Sequence, residues 1–335
     1  MGIKISHIEY HLPDYILTNQ EIGELHPNWD MNLTSKKTGV FSRHIAKINE
    51  TAFDLATVAV RKLLNNCSIN IEEIGGIIFC TQSPDYLMPS NAFLIHKEFS
   101  FKSHVWSFDY NLACSGFIYG LAIARGMIST GLAKHILLIN VDTYSKYINK
   151  NDRSTSLLFG DGASACLISS SNLDSIKDIS LASDGNSYKS FYIPAGGSRL
   201  PINDITNIEK TDIVGNIRSS ENIHMDGHAV WSFISKTVPS QINNLLSRNN
   251  LSFNEIDQVI FHQASKFTLD ALIKSINVEP SKCFINLNEV GNTVSASIPI
   301  ALKNCIDMGK VKDGDLLLLS GFGVGLSWGS LLLKL

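Results

Sequence analysis

The chain has 335 residues, with 28 basic and 31 acidic side chains and a formal net charge of −3. Its 44% hydrophobic and 18% charged content describes a packed globule, and its length exceeds what one hydrophobic core usually serves. No Lys/Arg run interleaves with aromatics, which argues against nucleic-acid binding, and no apolar run is long enough to span a bilayer.

The start of the chain lacks a basic region followed by a hydrophobic core, so no secretory signal is expected. Met1-Gly2-Ile3-Lys4-Ile5-Ser6 fits a permissive myristoylation pattern, yet Ile3, Ile5 and Ile8 read as an opening strand. Phe53 to Leu64 carries apolar residues at helical spacing and leads into an apolar strand within Glu73-Ile74-Gly75-Gly76-Ile77-Ile78-Phe79-Cys80-Thr81-Gln82. Ser103 to Tyr110 is strand-like in its β-branched and aromatic residues, and Phe117 to Ile128 reads as an apolar helix. Between them, Asn111-Leu112-Ala113-Cys114-Ser115-Gly116 reads as a strand-to-helix turn. A thiol there lies near a helix N-terminus, where unpaired N–H groups and the dipole favour thiolate. Packing is nevertheless the commoner fate of a cysteine in an apolar segment.

Gly131 to Ile139 supplies a further strand, and the polar, Gly/Ser/Asn-rich stretch from Ser169 to about Glu221 reads as a connection with insertions. After it the pattern repeats. A helix-like segment from Val230 to Leu246 leads into Glu255-Ile256-Asp257-Gln258-Val259-Ile260-Phe261-His262-Gln263, which echoes the segment at 73–82. Gly309 to Leu319 echoes Gly131 to Ile139 in the same way. Two copies of one α/β unit are expected, over 1–172 and 222–335, joined by 173–221. Their apolar strands suggest sheets covered on both faces. Pseudo-symmetric halves bring related turns to one cleft, where Cys114 would face His262 and the turn Gly291-Asn292-Thr293. Taken singly, His262 reads as a satisfied structural histidine and Asn292 as a left-handed turn residue. Taken together, the three supply a nucleophile and two neutral hydrogen-bond donors for a developing oxyanion or enolate.

Cys67, Cys80, Cys114, Cys166, Cys283 and Cys305 show neither metal-type nor disulfide-scaffold spacing, so reduced thiols in a cytoplasmic setting are expected. His7-Ile8-Glu9-Tyr10-His11 has the wrong order for a zinc motif. Gly325-Leu326-Ser327-Trp328-Gly329 fits the hydrolase G-x-S-x-G pattern, but only the apolar strand Ser330 to Leu335 follows it, with no helix and no His or Asp.

Segments along nearly the whole chain resemble the β-ketoacyl-acyl-carrier-protein synthase III family of the thiolase-like superfamily. In order they are Lys37 to Ala46 (KTGVFSRHIA), Asn111 to Phe117 (NLACSGF), Phe159 to Ala163 (FGDGA), His262 to Ser265 (HQAS), Gly291 to Ser297 (GNTVSAS) and Gly321 to Gly329 (GFGVGLSWG). The resemblance implies a duplicated five-layer αβαβα fold of two pseudo-symmetric mixed-sheet halves, usually a homodimer. It implies an acyltransferase with no permanently bound cofactor, taking acyl-CoA or acyl-ACP and malonyl-ACP as substrates and the acyl carrier protein as partner.

In the implied mechanism Cys114 accepts the acyl group, and backbone N–H groups of Cys114 and Val324 hold the oxyanion. His262 and Asn292 then stabilise the enolate left by malonyl decarboxylation, in a pocket that includes Phe322. Asn292 favours carbon–carbon bond formation, because ester-forming relatives carry Asp there. Lys37, Arg153, His228 and Ser265 stand at coenzyme A or pantetheine contacts and Met88 in the acyl-channel loop Pro84 to Pro89, while Lys266 and Lys274, with Lys236, are nearby candidates to replace a missing basic carrier-docking contact.

The chain departs from the family at several of these positions. Leu33 stands where an adenine-stacking tryptophan is frequent, and Ser265 and His228 replace asparagines. Phe267 replaces a basic carrier contact, and Val324 a common glycine. These departures point to an acyl-carrier-protein donor or a specialised acyl group. Two alternatives stay open: acyl transfer without decarboxylation, and a non-catalytic carrier-binding subunit.

Overall fold

The computed structural model describes residues 2–335; Met1, and with it the start of the myristoylation-type pattern, lies outside the described residues. Nine strands form the two large sheets. In the first are β1 (Gly2–His11), β2 (Ile74–Cys80), β3 (Trp106–Tyr110), β4 (His135–Asp142) and β5 (Gly162–Ser171), ordered β1-β5-β4-β2-β3. In the second are β6 (Ile176–Ser183), β7 (Gln258–Phe261), β8 (Leu316–Gly323) and β9 (Ser327–Lys334), ordered β7-β8-β9-β6. The β2 strand runs parallel to β3 and β4, while β4–β5 and β5–β1 are antiparallel. Likewise β7 is parallel to β8, while β8–β9 and β9–β6 are antiparallel. A single parallel bridge from Val259 to Cys283 stands where β3 stands in the first sheet. The echoed sequence segments therefore occupy equivalent places, β2 with β7 and β4 with β8.

Alternation along these strands builds the layers. Ile78, Ile136 and Leu138 of the first sheet, and Ile260, Leu317, Leu319 and Leu331 of the second, point into a shared inner core. Their neighbours Ile77, Phe79, Leu137 and Ile139 point outward onto helix α1 (Ala52–Asn66). Val259, Phe261, Leu318 and Leu332 point outward onto α3 (Gly227–Arg248) and α4 (Lys266–Ile276). Between the sheets lie α2 (Gly116–Ser129) and α5 (Ser297–Asp307), which supply Phe117, Ile118, Leu121, Ile298, Ala301 and Leu302 to the inner core. A helix buried from two sides must be apolar around most of its circumference, as α2 is.

The structure differs from the sequence reading in the connecting segment. Residues 176–183, expected to connect, form β6 and complete the second sheet as β1 completes the first. Its sequence Ile-Lys-Asp-Ile-Ser-Leu-Ala-Ser is polar because β6 is an edge strand, paired on one side only. Among the described residues no helix is long and apolar enough to cross a membrane.

The α1 helix starts at a capping box, in which Asp54 N donates to Thr51 Oγ1 and Thr51 N donates to Asp54 Oδ2. Thr51→Ala is expected to lower stability by about 1 kcal/mol. The measurement is the denaturant midpoint, which should fall with no change in self-acylation by thioesters.

Candidate active site

Cys114 lies in the turn between β3 and α2, next to Ser115, the N-cap residue of α2, and is 4% exposed. The end of β8 lies directly on this turn. A Cβ at Gly323 would sit 2.8 Å from Cys114 Sγ, and one at Gly321 would sit 2.6 Å from the Cys114 carbonyl oxygen. Only glycine permits backbone to meet backbone here. Hydroxyls fasten the contact: Ser115 Oγ is 2.7 Å from Ser327 Oγ, and Ser327 Oγ donates to Val324 O at 2.7 Å. As a result the N–H groups of Cys114 and Val324 both act on the thiol sulfur.

Burial, helped by the Asp142 carboxyl, pushes the Cys114 thiol well above its ordinary value, and the two N–H groups only partly oppose this. The thiolate-favouring effect expected from the helix N-terminus is thus outweighed. Removing sulfur from water disfavours its anion more than nearby dipoles restore it.

His262 follows the last residue of β7, and its N–H donates to Ser320 O at 2.8 Å, extending the pairing with β8. Its Nδ1 lies 2.6 Å from Ser297 Oγ on the first turn of α5. The ring is 2% exposed, and burial lowers its pKa to about 3, so the imidazole is neutral. Phe322 of β8 stands edge-on to it, with ring centroids 5.8 Å apart at 84°. With hydrogen on Nε2, Nδ1 accepts the Ser297 hydroxyl, and Nε2–H points away from α5 as a donor.

Asn292 is reached from Gly291, whose positive φ of +71° suits glycine, while Asn292 itself does not take the left-handed turn conformation that the sequence left open for it. Asn292 N donates to Leu158 O, and Gly160 N donates to Asn292 O, binding the two halves together. Its Oδ1 accepts Val294 N–H at 2.9 Å, leaving Nδ2 3.3 Å from His262 Nε2. Val294 carries φ +52°, a strained state for a β-branched residue beside a functional group.

Cys114, His262, Asn292 and Phe322 line one cavity of about 210 Å³. Ser265, the α4 N-cap, lines it too, as do Trp231 and Phe267, whose rings lie 5.9 Å apart. Lys37, Arg153 and His228 are exposed and do not line it. Lys236, Lys266 and Lys274 are exposed on α3 and α4, but Lys266 is paired with Asp270 at 2.6 Å. Met88 is 82% exposed, and its neighbours Tyr86 and Leu87 are exposed with it.

Sequence reasoning missed Ser297, Trp231 and Asp142. Asp142 ends β4; its Oδ1 accepts Gln82 N at 2.7 Å, and its Oδ2 accepts Ser295 Oγ at 2.6 Å. It joins the first half to the turn that carries Asn292, and burial raises its pKa to about 7. None of these three contacts has a local sequence signature.

Family models described as 3-oxoacyl-[acyl-carrier-protein] synthase III and its C-terminal region match residues 108–185 and 246–335. The chain is 35% identical over 328 residues to the β-ketoacyl-[acyl-carrier-protein] synthase III of Campylobacter curvus, spanning 98% of this chain and 95% of that one. It is 36% identical over 327 residues to the enzyme of that name from Caldanaerobacter subterraneus subsp. tengcongensis, spanning 97% and 95%. A crystal structure of a 3-oxoacyl-(acyl-carrier-protein) synthase III superposes with a TM-score of 0.97 at 36% identity, covering 100% of both chains.

The depressed pKa of His262 has a stability consequence. Below pH 6.5 the unfolded imidazole takes up a proton that the folded one refuses until about pH 3, so stability is lost as pH falls through that window. The expected slope is up to about 1.4 kcal/mol per pH unit. Comparing denaturant unfolding of the wild type and His262→Gln at pH 7 and 5 isolates it, with the wild type losing more on acidification.

Proposed function

The chain belongs to the β-ketoacyl-[acyl-carrier-protein] synthase III family, and on that premise we propose that Cys114 carries the acyl group while His262 and Asn292 direct decarboxylation. The enzyme is an acyltransferase that condenses an acyl thioester with a malonyl thioester to give a 3-oxoacyl product. One observation carries the assignment of residues: a buried thiol under two main-chain N–H groups shares a cavity with a neutral imidazole and a fixed carboxamide.

In the first half-reaction Cys114 Sγ attacks the acyl carbonyl carbon. The tetrahedral oxyanion accepts hydrogen bonds from the N–H groups of Cys114 and Val324. The bond from that carbon to the donor's thioester sulfur breaks, and the departing thiol takes the proton that Cys114 gives up. Because that proton leaves as the new bond forms, a thiol with a raised pKa is no obstacle.

In the second half-reaction the malonyl carboxylate departs as carbon dioxide, and its bonding electrons move onto the thioester oxygen as an enolate. Asn292 Nδ2–H and His262 Nε2–H donate to that oxygen. Both donors are uncharged, and Phe322 keeps the site apolar, which disfavours the carboxylate that must leave. The carbanion attacks the acyl carbonyl, the carbon–Sγ bond breaks, and the Cys114 thiolate takes a proton from solvent. Removing one such donor costs about 10²- to 10³-fold in rate.

The lysines on α3 and α4 support carrier-protein docking there, with Lys236 and Lys274 free of the ion pair that holds Lys266. The departures at Leu33, His228, Ser265 and Phe267 favour a specialised starter or a carrier-bound donor over acetyl-CoA. Homodimerisation, usual in the family, is part of the same proposal.

Cys114→Ala is expected to abolish acyl-enzyme formation, measured by intact mass after incubation with acyl-CoAs and acyl carrier proteins; undiminished labelling overturns the assignment. His262→Ala and Asn292→Asp are expected to slow carbon dioxide release from malonyl thioester by about 10²-fold or more, while self-acylation changes far less. Equal losses in both half-reactions count against their roles.

A further inference from the structure

Beneath the thiol the space is already filled. Tyr144, Phe159 and Phe191 pack around Cys114, with ring centroids 5.4–6.3 Å apart. An acyl chain growing from Sγ meets this aromatic wall. The open volume beside it is a second cavity, of about 260 Å³, which shares the Phe191 wall with the Cys114 cavity and is bounded by Val324.

This second cavity mixes apolar lining, from Phe191, Ile193, Ile223 and Val324, with polar groups that an alkyl chain cannot satisfy. Gln82, Asn111, Tyr144, Tyr147 and Tyr192 all contribute to it. Gln82 is held at three points: its N–H by Asp142, its Oε1 by the Tyr144 hydroxyl at 2.5 Å, and its Nε2 by Asn111 Oδ1 at 2.7 Å. These bonds leave the second Nε2 hydrogen of Gln82, the Asn111 Nδ2 group and the Tyr144 oxygen lone pairs unused among the described residues. The Tyr147 and Tyr192 hydroxyls likewise have no partner among the described residues. An alkyl chain seated here displaces water from these groups and returns no hydrogen bond, which is costly.

We propose that the starter acyl group bears a hydrogen-bonding substituent, a hydroxyl or oxo group, and that Gln82 and Tyr144 are the residues that select it. The inference rests on the reading of Cys114 as the acyl carrier and adds the chemical class of what it carries. Sites built to pair a substrate hydroxyl reject the analogue lacking it far better than apolar pockets reject an added one.

The test is the rate of Cys114 acylation, followed by quenched intact-mass measurements, for hexanoyl-CoA against its 3-hydroxy and 5-hydroxy counterparts, with acetyl-CoA as reference. At least one hydroxylated thioester should acylate the wild type about tenfold faster in kcat/KM, the worth of one net hydrogen bond. Gln82→Met and Tyr144→Phe should bring that ratio close to one. Hexanoyl-CoA reacting as fast as both counterparts, or both variants keeping the preference, overturns this inference alone. Absence of transfer from every thioester, acetyl-CoA included, overturns the acyl-carrier reading and this inference with it.

Discussion

Everything at this site depends on two backbones touching. The end of β8 lies on the turn holding Cys114 so closely that a Cβ at Gly323 would strike the sulfur. That proximity carries the Val324 N–H from the second half to a thiol of the first. It also places Phe322, the residue between the two glycines, edge-on to His262. A larger side chain at either glycine would part the halves at the point where their chemistry meets. The duplicated architecture is the means of producing that contact: related β-strand ends reach one seam from opposite sides, with α2 and α5 packed between the sheets.

Desolvation sets the protonation of the site. It keeps the Cys114 thiol protonated, the imidazole neutral and Asp142 at the edge of neutrality. Water is replaced by donors that do not reorganise: main-chain N–H groups, a carboxamide fixed by Val294 N–H and an imidazole fixed by Ser297. Such donors stabilise charge as it develops and hold little of it beforehand, which is where their effect on rate arises. Asp142 links the arrangement mechanically, since one carboxyl grips both the start of the Gln82 segment and the turn beyond Asn292.

Much of this was legible in the chain. Short continuous apolar runs and the internal echo gave β2, β4, β7 and β8, and the helix read from Phe117 to Ile128 spans Gly116–Ser129. The turn at Cys114 stood out because small residues interrupt two apolar runs. β6 was missed because an edge strand alternates weakly and sits in a polar stretch that resembles a linker. Ser297 and Asp142 were missed for a different reason. Their partners His262 and Ser295 lie 35 and 153 residues away, and nothing near either residue announces the pairing. The direction of the thiol shift was misjudged because burial is a property of the packed whole, whereas a helix N-terminus is visible locally.

The composition of the oxyanion hole bears on how such an enzyme can decay. In the mechanism proposed above its two donors are the main-chain N–H groups of Cys114 and Val324, both of which act on the thiol, and every residue type but proline possesses one. Drift can therefore erase the sulfur, the imidazole or the carboxamide by a single codon, but it cannot readily delete the cradle that awaits the oxyanion. A descendant of this chain that had lost its original reaction would still hold a preformed anion-binding hollow at the head of α2. A new nucleophile arising nearby would find it already built.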